Sequence, residues 1–157
     1  MEIFNAFIRQ EHTGSPFALE KWDHLLTRGN KIWGFAVDDL HAPYKLLGCW
    51  NNWNLGWIMV DAKKLSKKAI LDSIKKGDFY SSTGVVLEDY YIDENKFFIS
   101  SQNGEEVIFI GDHGKILKVI DGEKGEIEID REYKYIRCEV RSSDGIAFTQ
   151  PVFTDSI

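Results

Sequence analysis

Asp39 and His41, two positions apart, are the residues best suited to site chemistry in this chain. A carboxylate oxygen and an imidazole nitrogen are both good ligands for zinc, manganese or iron. They follow Lys31 to Val37, a nearly continuous apolar run that reads as a strand covered on both faces. A parallel sheet delivers its site residues at the carboxyl ends of its strands, so both side chains can turn toward one point. Asp38 is placed to orient a ligand from behind. The plainer alternative is a polar turn after a strand, with His41 only hydrogen-bonded.

Three further groups carry chemistry more weakly. Trp50, Trp53 and Trp57 are crowded into one loop. They make either an aromatic wall for an organic group or a set of rings closing the core. Tyr80 to Gly84 is a run of small hydroxyl residues in which Ser82 and Thr83 could meet a substrate oxygen, or form an ordinary turn. No histidine stands nearby in sequence, so a serine hydrolase is not indicated. His12, just past the first strand, is placed to reach the same sheet end as Asp39, whereas His24 and His113 read as bystanders. Cys49 and Cys138 lack a CxxC pattern and read as free buried thiols.

The elements that must position these residues fall into two textures. Before about Asp93, strand-like and helix-like runs alternate. Leu19, Trp22, Leu25 and Leu26 define one helix face, with Ser15-Pro16 as its start signal and Gly29 as its stop. Ser66 caps a second helix that ends at Gly77. From about Lys96 onward the pattern has period two: Ile136, Cys138 and Val140 interleave with Arg137, Glu139 and Arg141. Such strands bury one face and wet the other, which fits antiparallel pairing of five or six strands.

Bulk composition narrows the class. With 157 residues, 43% apolar and 28% charged, the chain is globular in composition. A net charge of −6 without a basic stripe makes nucleic acid an unsuitable partner. The amino terminus does not read as a signal peptide and no apolar run is long enough to span a membrane, so a cytoplasmic location is expected.

Glu2 to Asn5, Lys21 to Gly29 and Trp33 to His41, with Gly56 to Val60, Gly77 to Gly84, Tyr135 to Val140 and Ala147 to Pro151, together resemble the C-terminal half of the PHP (polymerase and histidinol phosphatase) family, the metal-dependent phosphoesterases. The resemblance implies an α+β fold. A partial PHP-type βα barrel is expected over residues 1–94, and a small antiparallel β-sandwich module over 95–157. By position, Asp39 and His41 match the family's last metal-binding motif, and Asn5 a strand-end position near the site. The family opens with a His-x-His pair, which this chain lacks. A catalytic zinc takes about three protein ligands, so two residues do not complete the centre. The expectation is therefore a partial phosphoesterase, acting on a small phosphate ester in its complete form and inactive or weakly active alone. A divalent metal (Zn, Mn or Fe) would bind at low occupancy. The partner would be a missing N-terminal PHP half or a second copy in a homodimer. The competing expectation is a non-catalytic binding or assembly module that uses the Trp50–Trp57 loop and the β-rich part.

Overall fold

A computed structural model describes residues 1–11, 14–40 and 53–156. The chain opens with β1 (Glu2–Asn5), α1 (Ala6–Glu11), α2 (Leu19–Thr27) and β2 (Phe35–Val37). β1 and β2 pair in parallel, with Asn5 opposite Val37. They are followed by β3 (Trp57–Val60), α3 (Lys67–Lys76), β4 (Phe79–Ser82) and β5 (Leu87–Asp93). Then come β6 (Lys96–Ser101), β7 (Glu106–Gly111), β8 (Lys115–Asp121), β9 (Lys124–Glu128), β10 (Tyr135–Ser142), β11 (Gly145–Phe148) and β12 (Val152–Phe153). The large sheet runs β3-β4-β11-β10-β7-β8, with β12 added at the start of β10; β5-β6-β9 form a smaller sheet. Every pairing in these two sheets is antiparallel.

The expected partial PHP-type βα barrel, and with it the α+β class, is therefore corrected. The fold is β-rich, and among the described residues one parallel pair, β1–β2, is the whole of the parallel sheet. Strand–helix–strand order does not fix strand direction. The connection from β3 to β4 contains α3, yet β3 and β4 are antiparallel neighbours, with Trp57 opposite Ser82 and Val60 opposite Phe79. The apolar run Lys31–Val37 contributes only three strand residues. Aromatic rings cover much of it, from the neighbouring strands and from Trp22 of α2, and Trp33 Nε1 donates to Lys75 O of α3 at 3.0 Å. Phe35 packs on Phe79 at 4.8 Å, and Trp33 on Phe153 at 5.9 Å.

Two cores sit on opposite faces of the large sheet. Ile136, Cys138 and Val140 of β10 face Phe97 and Ile99 of the small sheet. On the other face, Tyr135 and Phe148 pack with Trp22 and Leu26 of α2 and Ile3 of β1. Burying a side chain such as Leu26 contributes on the order of 2 kcal/mol. The face of β10 that carries Arg137 and Glu139 was expected to be wet. It lies under α2 instead, with Arg137 2% and Glu139 1% exposed. Period two reports that faces alternate; it does not report what covers the polar one.

The helix signals differ in outcome for local reasons. Ser66 Oγ accepts Ala69 N–H at 3.2 Å, and Gly77 closes α3 at φ 86°. The helix after Ser15-Pro16 starts later, at Leu19, because residues 16–18 pair with β1 first. Asn5 N–H donates to Pro16 O at 2.9 Å, and Ala18 N–H to Ile3 O at 3.0 Å. Among the described residues, no helix is long and apolar enough to cross a membrane.

Candidate functional site

The carboxyl ends of β1 and β2 bring Asn5 and Asp39 together. Asn5 is buried, and its Nδ2 donates to Asp39 Oδ2 at 2.8 Å and to Glu2 Oε2 at 3.2 Å. Its Oδ1 accepts Ile8 N–H at 3.2 Å. Asp39 leaves strand geometry at φ 52°, a region that aspartate tolerates better than most residues. His41 and His12 lie outside the described residues, as does Trp50.

Asp38 has a different task from its neighbour. Oδ2 accepts the N–H of Asn54 at 2.6 Å, and Oδ1 accepts those of Leu55 and Gly56 at 2.8 and 2.9 Å. Its carboxylate thus fastens the segment before β3 to the end of β2. Gly56 completes the clasp, since a Cβ there would lie 2.9 Å from both the Phe4 ring and Val37 O. Of the other tryptophans, Trp53 is 58% exposed and Trp57 is half-buried at the start of β3.

Ser82 and Thr83 are engaged in turn and sheet hydrogen bonds. Ser82 Oγ donates to Val85 O at 2.6 Å and accepts Gly84 N–H at 3.0 Å. Thr83 Oγ1 accepts Ile146 N–H at 3.0 Å. The close approach that Gly84 permits is to backbone, because a Cβ there would overlap the Asp144 carbonyl. Ser81, next in line, joins the sheets: its Oγ accepts Ala36 N–H at 3.0 Å and donates to Gly34 O at 2.9 Å.

A second constellation was not singled out from the sequence. Arg137 grips Asp23 of α2 through Nε–Oδ1 at 2.7 Å and Nη2–Oδ2 at 2.8 Å. Tyr135 OH donates to the same Asp23 Oδ1 at 2.8 Å. Arg137 Nη1 then reaches Glu139 Oε1 at 2.7 Å, and Arg141 holds Glu139 Oε2 through Nε and Nη2 at 3.1 and 2.7 Å. The Trp22 ring lies 5.2 Å from the Arg137 guanidinium. Burial opposes the charge on Arg137, but Asp23 and Glu139 outweigh it and hold its pKa above the ordinary value. Burial, reinforced by Asp23, pushes the Tyr135 phenol up. The available signal was Asp23 itself, a charge on the helix face shared by Leu19, Trp22 and Leu26, which calls for a buried cation.

The described donors fall short of a metal centre. Asp39 supplies one carboxylate at the strand ends, Asp38 is committed to backbone, and Asn5 offers an amide. Among the described residues, no group of three His, Cys, Asp or Glu is arranged to hold an ion. Burial raises the Cys138 pKa, so this thiol is no nucleophile. No family model, curated protein or solved structure matches the chain.

Proposed function

We propose that the chain contributes Asp39 and His41 as two ligands to a divalent-metal phosphoesterase site of PHP type, completed by ligands from another polypeptide. The observation that carries this reading is the Asn5–Asp39 hydrogen bond at the carboxyl ends of a parallel pair. A carboxylate in that place is pre-aimed by a neighbour that is itself fixed, as metal ligands commonly are. The shortage of donors among the described residues is why the proposal stops at ligand supply and assigns this chain no chemical step. The test is titration of Zn²⁺ and Mn²⁺ into the wild-type chain and the Asp39→Ala and His41→Ala variants. The reading expects metal binding that either substitution abolishes, with hydrolysis of p-nitrophenyl phosphate at background. Metal binding that survives both substitutions overturns it.

A second reading, an assembly module, is favoured by β8. It is an edge strand paired with β7 among the described residues, and Ile116 and Val119 on it are 58% and 49% exposed. Such an edge is a template for another chain. Sedimentation of wild type and Val119→Lys tests it: self-association that the lysine abolishes supports it, and a monomer at every concentration removes it.

A further inference from the structure

We propose that Arg141 and Lys21 form an oxyanion subsite that takes a phosphate or carboxylate group of a small ligand. Both line a cleft of about 920 Å³ that also contains Asn5, Phe17 and Ile146. They come from different elements, brought together by the way α2 lies along β10. Thr27 O accepts from Lys134 Nζ at 2.8 Å, Asp23 meets Tyr135 and Arg137, and the first turn of α2 lines the same cleft as Arg141.

Arg141 is prepared for this role by its setting. Its Nε and Nη2 are both spent on Glu139 Oε2, so the guanidinium is held in one orientation. Glu139 is immobilised in turn by burial and by Arg137. Arg141 remains 47% exposed, and Nη1 has no protein acceptor among the described residues. A guanidinium fixed along one edge and open at another presents directed donors to a planar or tetrahedral oxyanion at little further ordering cost. Lys21 adds an exposed cation with no carboxylate bound to it among the described residues. Ala18, Leu19 and Glu20 at the start of α2 line the same cleft, and Glu20 offsets the positive end of the helix, so the cations of the cleft are Arg141 and Lys21. Glu2 and Glu20 are the acidic lining residues, and Glu2 already accepts from Asn5. The anionic group therefore belongs at the Arg141 side, with Phe17 and Ile146 beside the ligand's organic part.

The subsite does not depend on the metal reading, and its test is run in chelator so that the two fail separately. Inorganic phosphate and acetate are titrated into the ¹⁵N-labelled full chain, wild type, Lys21→Ala and Arg141→Ala, at low and high salt. Arg141 also neutralises buried Glu139, so its loss can affect folding; Lys21→Ala removes an exposed side chain and leaves that network intact. The subsite predicts saturable shifts at the first turn of α2 and at the Arg141 side-chain N–H. Affinity should weaken about tenfold or more in Arg141→Ala, severalfold in Lys21→Ala, and again at high salt. Tighter phosphate or tighter acetate binding both support the subsite and name its preferred oxyanion. No saturable shift with either probe, or affinity unchanged in Lys21→Ala, overturns it.

Discussion

Asn5 and Asp39, 34 residues apart in the chain, are joined by a 2.8 Å hydrogen bond from Nδ2 to Oδ2. The other end of the amide accepts Ile8 N–H, which fixes the way the amide points. Replacing Asn5 by Ala leaves Ile8 N–H and the Asp39 carboxylate short of a partner each, at a cost of about 1–3 kcal/mol. Asn5→Asp should cost more at neutral pH, because it sets two carboxylates at hydrogen-bond distance. Urea midpoints at pH 7 measure both. An aspartate variant as stable as wild type would show that Asn5 and Asp39 do not meet.

The ion chain Asp23–Arg137–Glu139–Arg141 makes a graded prediction. Removing one partner of a buried pair strands a charge, so Asp23→Ala and Arg137→Ala should each cost about 3–5 kcal/mol. The double variant should cost clearly less than the sum, since each substitution already destroys the shared contact. Arg141→Ala should cost least, because Arg141 is half exposed. Denaturant unfolding of the four variants gives the order; additive losses would contradict a coupled network.

Alkaline pH should unfold the protein in a particular way. Burial raises the pKa of Cys138, and burial with Asp23 raises that of Tyr135, so both stay protonated when folded. In the unfolded chain they ionise near about 8.5 and about 10. A folded-state pKa above the unfolded one contributes stability that is intact below those values and declines as pH rises past them. Stability should therefore fall from about pH 8.5 upward, and Cys138→Ala should delay the onset. Denaturation midpoints from pH 7 to 11 check this, and a flat profile would contradict it.

Asp38 is predicted to act through the loop it fastens. Asp38→Ala releases three backbone N–H groups, of Asn54, Leu55 and Gly56. Amide hydrogen exchange at these positions should accelerate, with a stability loss of about 1–3 kcal/mol. Asp38→Asn, which keeps the acceptor oxygen, should restore part of the protection. Unchanged exchange in Asp38→Ala would remove this role.

How far these features could be read from the sequence depends on how local their causes are. Ser66 and Gly77 bracket α3 through bonds within a turn of themselves, so their types were sufficient. The alternation in β10 revealed two faces. It could not reveal that α2 would cover the one bearing Arg137 and Glu139, because Asp23 lies 114 residues from Arg137. The order of strands and helices suggested parallel units, but direction is set by long-range pairing, and among the described residues only β1–β2 is parallel. Asp39 stood out by type and spacing, whereas its contact with Asn5 needed the fold. Asp38 reads from the sequence as a residue that orients a ligand, and its task of holding the Asn54–Gly56 backbone shows only once that segment folds back on it.

Mn²⁺ titrated into the ¹⁵N-labelled chain, read by paramagnetic line broadening, tests the Asp39 site most directly. The Asn5 side-chain amide and the Asp39 backbone amide should broaden first, and Asp39→Ala should abolish the effect. Broadening centred on the separate acidic cleft lined by Asp61, Asp78, Glu88 and Asp89, or broadening at Asn5 that persists in Asp39→Ala, would contradict it.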